Sequence, residues 1–214
     1  MVFELDSSTL EFPHPSYAEK DGLLAIGGDL KPDRLLLAYS NGIFPWFSED
    51  TPILWYAPDP RFVIYPEAIK VSKSMASIIR KNTFSISMDR CFKEVIQSCA
   101  TINRNDQEGT WITRDMMQAY TTLFEMGYAH SIEVWKGEAL VGGLYGVLIN
   151  GVFCGESMFS KEANASKTAL IYLAKEIDIQ LIDCQFHTPH LASMGGEYLS
   201  LSDYLALLTK RPKI

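Results

Sequence analysis

The chain has 214 residues, 47% of them hydrophobic and 21% charged, with a formal net charge of −7. That length holds one large domain or a small domain beside a medium one, and the balance of residue types excludes a disordered chain. The acidic charge excludes a nonspecific nucleic-acid binder, so any contact with RNA must be made by a local patch.

Residues 1–60 are punctuated by Pro13, Pro15, Gly22, Gly27, Gly28, Pro32, Gly42, Pro45, Pro52, Pro58 and Pro60. This predicts a small N-terminal domain of loops and short elements. One helix fits Lys31–Asn41, with Pro32 in its first turn and Gly42 at its stop. From residue 61 the pattern becomes regular, and a second domain is expected over 61–214. Val71–Arg80 reads as a helix with Val71, Met75, Ile78 and Ile79 on one side. Thr113–Met126 reads as another, with Met116, Tyr120, Leu123 and Phe124 at helical spacing and Gly127 as its stop. Strands are predicted at Ser131–Trp135, Leu140–Ile149 and Gly151–Gly155, the last two joined by an Asn150-Gly151 turn. A helix from Asn164 to Ile177, a strand Gln180–Phe186 and a helix near Ser202–Thr209 complete the chain. This order predicts an α/β (α+β) fold with a mixed sheet.

Met1–Leu10 carries Glu4 and Asp6 and no basic start, and no run of about 18 apolar residues occurs, so neither a leader nor a membrane span is expected. The cysteines Cys91, Cys99, Cys154 and Cys184 form no CxxC pair. Free thiols without a targeting segment point to the cytoplasm. There is no GxSxG elbow, HExxH helix or EF-hand loop. His187 and His190 flank Pro189 without a clear third ligand, so no metal site is expected.

Two places concentrate unexpected polarity. In Leu181-Ile182-Asp183-Cys184-Gln185, strand alternation puts Asp183 and Gln185 on one face, amid apolar neighbours. They are either a hydrogen-bonded pair at a strand end or a functional pair. In Phe153-Cys154-Gly155-Glu156-Ser157-Met158, one glutamate sits in an apolar run, and Glu is rarely buried unless paired; it is a solvated strand-end carboxylate, a helix cap or a functional carboxylate. Trp46 and Trp111 follow turn residues and lie outside the periodic core pattern. Each is a packing residue or a stacking platform. Lys70, Lys73, Arg80 and Lys81 gather in and around the Val71–Arg80 helix, and no acid interrupts residues 68–87. That stretch is either a solvated helix face or the basic patch that an acidic RNA binder needs.

The blocks DGLLAIGGDL, GIFPWF, PILWYAPDPR, GTWIT, AHSIEVW, LVGGLYGV, FCGESMFS, NASKTAL and LIDCQ occur in this order. With them the chain closely resembles the leucyl/phenylalanyl-tRNA-protein transferase family, from about Phe12 to about Leu208. The resemblance implies a small N-terminal domain and a C-terminal domain similar to GCN5-related N-acetyltransferases (GNAT-like). It implies transfer of Leu or Phe, and Met less well, from aminoacyl-tRNA to proteins beginning with Arg or Lys, with no cofactor. It also implies a monomer whose product carries an N-terminal degradation signal. By the same resemblance Gln185 would contact the attacking amine, Asp183 would polarise and orient it, and Glu156 would hold an ammonium group. Trp46 and Trp111 would hold the terminal adenosine of tRNA. Leu144, Phe153, Gly155, Met158 and Ile182 would line the pocket for the transferred side chain, and the Lys70–Lys81 cluster would meet the tRNA backbone. One departure stands out. Ser200, Leu201 and Ser202 occupy positions where family members often carry arginines.

Two rival functions fit parts of the pattern. An acyl-CoA acetyltransferase usually places a glycine-rich turn at a helix N-terminus, and Ser160–Lys167 contains no glycine. A noncatalytic binder of N-terminal peptides would need an acidic pocket but neither tryptophan platform nor basic face.

Overall fold

A computed structural model describes residues 2–102 and 112–209. The elements run β1 (Phe3–Leu5), β2 (Leu23–Gly27), α1 (Pro32–Ser40), β3 (Phe44–Pro45), β4 (Leu54–Tyr56), β5 (Arg61–Ile64), α2 (Lys73–Arg80), β6 (Ser85–Met88), α3 (Phe92–Thr101), α4 (Arg114–Glu125), β7 (Ala129–Lys136), β8 (Ala139–Ile149), β9 (Val152–Ser160), α5 (Ala165–Glu176), β10 (Leu181–Gln185), α6 (Pro189–Ser193), β11 (Glu197–Leu199) and α7 (Leu201–Thr209). Two sheets result, a four-stranded one in the order β1-β2-β4-β3 and a seven-stranded one in the order β11-β5-β10-β9-β8-β7-β6. Both are mixed, because β1 runs parallel to β2 and β9 parallel to β10 while the other pairings are antiparallel. The α/β class expected from the alternation of patterns is the one observed.

Local chemistry explains the element ends. Thr113 caps α4 by accepting from the Met116 N–H, and Ser72 caps α2 by accepting from the Met75 N–H. Asn150 and Gly151, at φ 50° and 79°, turn β8 into β9 with both residues left-handed, as a two-residue hairpin loop of this kind requires. The N-terminal region carries more order than its turn residues suggest. Its strands are only two to five residues long, too short for alternation to show. Trp55 anchors them: it is fully buried, and its indole N–H donates to the Gly27 carbonyl at 2.9 Å.

Helices cover both faces of the large sheet, and each face has its own core. On one face α5 buries Ala169, Leu170 and Leu173 against Ile132, Leu144, Phe153 and Ile182. On the other, Phe92 and Val95 of α3 and Tyr120 and Leu123 of α4 pack with Tyr145 and Val147. This second core is continuous with Leu24, Leu35 and Trp55 of the small sheet, so the N-terminal elements are fixed to the face on which α4 lies. Gly142 is required by α5: a Cβ there would sit 2.5 Å from the Ala165 Cβ.

Candidate active site

The parallel pair β9 and β10 keeps register only from Leu181 opposite Val152 to Asp183 opposite Cys154. Beyond that point both strands are bulged. In β9, Gly155 pairs with Gly146 and Ser157 with Tyr145, which leaves Glu156 as the extra residue. In β10, Asp183 pairs with Val63 and Gln185 with Phe62, which leaves Cys184 extra. Gln185 itself is left-handed at φ 65°. Bulges bend a strand and re-aim its side chains. Here they bring Glu156 and Gln185 together, with Gln185 Nε2 donating to Glu156 Oε1 at 3.0 Å.

A cavity of about 520 Å³ opens where the pairing stops, within the size range of small-ligand sites. Leu144, Phe153, Met158, Leu170, Leu173 and Ile182 make its walls apolar, and Gly155, Glu156, Asp183 and Gln185 line it too. Thr188, His190 and Leu191, in and just before α6, also line it. Burial keeps His190 below its usual pKa, and the Lys167 charge adds to this.

Asp183 and Gln185 do not meet through simple alternation, because the bulge intervenes. Their link runs from side chain to backbone: the Gln185 N–H donates to Asp183 Oδ1 at 2.8 Å. Asp183 is 1% exposed. Arg61 Nε lies 3.2 Å from Oδ1, and the Tyr204 hydroxyl donates to Oδ2 at 2.7 Å. Arg61 is buried with it. Its guanidinium sits over the rings of Phe44 and Tyr204, 4.9 and 4.7 Å from their centroids, and donates to the Gly42 carbonyl at 2.6 Å. Both Asp183 oxygens are therefore engaged, by two hydrogen-bond donors and one ion-paired cation.

Glu156 is also buried, neither a solvated strand end nor a helix cap. Tyr120 of α4 donates to its Oε2 at 2.9 Å, and Tyr39 of α1 is hydrogen-bonded to Tyr120 in turn. Burial pushes the Glu156 carboxyl up to about 7; the Tyr39 and Tyr120 hydroxyls and the Gln185 amide pull against this, and the Asp183 charge adds to it. A chain of four polar side chains thus runs from the N-terminal helix to the cavity.

Trp46 is 38% exposed and forms an aromatic cluster with Tyr56 and Phe186, at 5.5 and 5.2 Å between centroids. Phe186 follows Gln185 directly, so this cluster adjoins the polar chain. Trp111 lies outside the described residues. Lys70, Lys73, Arg80 and Lys81 are all exposed, remote in the chain from the cavity-lining residues. The acid-free stretch in the sequence is not acid-free in space, since Glu176 of α5 lines the same groove as Arg80 and Lys175. Ser200 caps α7: its hydroxyl accepts from the Asp203 N–H at 3.2 Å and donates to the Asp203 carboxylate at 2.6 Å. His187 packs on Phe62 and Tyr198. Among the described residues no group of three or more His, Cys, Asp or Glu could hold a metal ion, and no helix is long and apolar enough to cross a membrane.

Sequence reasoning missed Arg61, Tyr204, Tyr39 and Tyr120. Arg61 had a signal, as one cation in the apolar run Arg61-Phe62-Val63-Ile64. The tyrosines had none beyond the apolar faces of their helices.

A family model described as leucyl/phenylalanyl-tRNA protein transferase matches residues 63–209, and one described as its N-terminal domain matches residues 28–59. A leucyl/phenylalanyl-tRNA-protein transferase of Syntrophus aciditrophicus is 55% identical over 202 residues, 93% of this chain and 84% of its own length. Proteins of the same name from Syntrophobacter fumaroxidans and Flavobacterium johnsoniae are 52% and 50% identical, over 98% and 94% of this chain and 90% and 97% of theirs. Among solved structures, a GCN5-related N-acetyltransferase from Kribbella flavida overlaps 76% of this chain and 58% of its own at 8% identity, with a TM-score of 0.37.

Proposed function

The chain belongs to the leucyl/phenylalanyl-tRNA-protein transferase family, and from that premise we propose that it moves Leu or Phe, and Met less well, from aminoacyl-tRNA to the N-terminal Arg or Lys of acceptor proteins. The product then carries an N-terminal degradation signal. The observation that carries this reading is the apolar cavity with Glu156 and Gln185 at its wall. The aminoacyl ester is already activated, and the nucleophile is an α-amine with a pKa of about 7.7–8.0. The work left for the protein is to place two substrates and to help a proton move.

In this reading Leu144, Phe153, Gly155, Met158 and Ile182 surround the transferred side chain. Gln185 contacts the attacking amine, Asp183 orients Gln185 through its backbone N–H, and Glu156 holds an ammonium group. Trp46, backed by Tyr56 and Phe186, stacks on the terminal adenosine together with Trp111. The same proposal includes a cytoplasmic monomer and a division of the chain into domains 1–60 and 61–214. The acyl-CoA rival loses ground at the start of α5. Ala165 is packed onto Gly142, and the Ser166 N–H is taken by Ser160 Oγ at 3.3 Å. A pyrophosphate would need such N–H groups free.

The direct test incubates the protein with radiolabelled Leu-tRNA and peptides. Label is expected on Arg- and Lys-starting peptides and none on an acetylated one. Transfer to the blocked peptide, or none to the free ones, would refute the reading.

Lys70, Lys73, Arg80 and Lys81 are proposed to hold the tRNA backbone. The variant with Lys73→Ala and Arg80→Ala should use full tRNA poorly and spare an aminoacyl-adenosine donor, which carries no tRNA backbone. The log–log salt slope of tRNA binding should fall by about 0.7–0.9 for each phosphate that no longer meets a cation. Equal impairment with both donors would mean that the substitutions damaged the fold or the cavity.

A further inference from the structure

We propose that Glu156, and not Asp183, takes the proton from the attacking amine, and that Asp183 is a positioning residue. This rests on the transferase reading above. The two carboxylates differ in what their oxygens are free to do. Asp183 accepts from the Gln185 N–H and from the Tyr204 hydroxyl, and it is ion-paired with Arg61. A buried guanidinium 3.2 Å away occupies the Oδ1 side of this carboxylate. Glu156 has no cationic partner among the described residues. Tyr120 donates to one of its oxygens and Gln185 to the other, and a carboxylate oxygen has a second lone pair. It lines the cavity at the point where Gln185 does.

The charges around Glu156 agree with this division. Tyr39 of α1, Tyr120 of α4, Cys154 of β9 and Asp183 of β10 face it. All are neutral or negative near pH 7. Burial holds its carboxyl at about 7, close to the operating pH that suits a general base. The step balances without a further reactant. The amine nitrogen bonds to the ester carbon, its proton passes to Glu156 Oε1, the bond from that carbon to the ribose oxygen breaks, and the proton returns from Glu156 to that oxygen. Amide and alcohol are the only products.

The test is single-turnover transfer from Leu-tRNA between pH 5 and 9. Hydroxylamine serves as an acceptor that is neutral over most of the range, the uncatalysed reaction is subtracted, and an Arg-starting peptide is run in parallel. With hydroxylamine the wild type should still rise with pH through a limb near neutrality, because the limb belongs to the enzyme. Glu156→Gln, which keeps the shape of the side chain, should lose that limb and about 10²–10⁴-fold in rate. Tyr120→Phe removes a donor to the carboxylate and should move the limb to higher pH. Asp183→Asn should keep a limb while lowering the rate, and should move it to lower pH, because the Asp183 charge no longer raises the Glu156 carboxyl. A limb unchanged in Glu156→Gln, or lost only in Asp183→Asn, overturns the assignment alone. A wild type inactive with the peptide as well overturns the transferase reading and this assignment with it.

Discussion

Arg61→Met is expected to destabilise the protein by about 3–5 kcal/mol, the usual cost of removing one partner from a buried ion pair. Asp183, 1% exposed, would be left with only the Tyr204 hydroxyl and the Gln185 N–H as partners. The Gly42 carbonyl would lose its donor, and the faces of Phe44 and Tyr204 would lose the cation between them. For a chain of this size the melting temperature should fall by roughly 6–20 °C, at about 2–4 °C per kcal/mol. Replacing the pair together, Arg61→Met with Asp183→Leu, should recover most of the loss, because no uncompensated charge remains. A single variant as stable as the wild type would mean that water or another group already screens Asp183. The same ion pair makes Asp183→Ala a poor probe of chemistry. It strands Arg61, so its activity loss would mix folding with mechanism.

Gln185→Ala is expected to lower kcat/KM by about 10²–10⁴-fold, the range for a group that helps proton transfer or orientation. Its backbone adds a second effect, because φ 65° strains any residue with a Cβ. Gln185→Gly removes that strain and the amide together. Both variants should lose activity to a similar degree, and Gly should be the more stable of the two. Activity retained in Gln185→Gly would show that the turn matters and the amide does not. Melting curves taken beside the kinetics separate the two effects.

Much of the fold was legible because local rules act over short stretches. Thr113 and Gly127 bound a helix whose apolar residues recur at helical spacing. Asn150-Gly151 between two apolar runs marks a hairpin, and that hairpin is there. Phe92, Val95, Ile96 and Cys99 also have helical spacing, yet α3 was not among the predicted helices, because no cap residue marks its start. The short strands β1 to β4 were not legible, since a strand of a few residues has no periodicity to read.

The site divides in the same way. Polar residues stranded in apolar runs pointed to Glu156, Asp183 and Gln185, because burying such groups demands partners. The partners themselves lie far away in the chain: Tyr39 is 81 residues from Tyr120, and Tyr120 is 36 from Glu156. No local pattern encodes such pairings. The two bulges depend on how neighbouring strands pair, so the meeting of Glu156 with Gln185 could not be derived from alternation, which breaks at that point. The basic stretch near α2 shows what chain order leaves out. A gap in acidic residues along the chain does not exclude an acid in space, and Glu176 arrives there from α5.

The most direct measurement is a crystal structure with an unreactive leucyl-adenosine analogue in which an amide replaces the ester. The account predicts the leucyl side chain among Leu144, Phe153, Met158 and Ile182. It predicts the α-carbonyl beside Gln185 and Glu156, and the adenine against Trp46. A leucyl group bound outside the cavity between β9 and β10, or an adenine remote from Trp46, would contradict it.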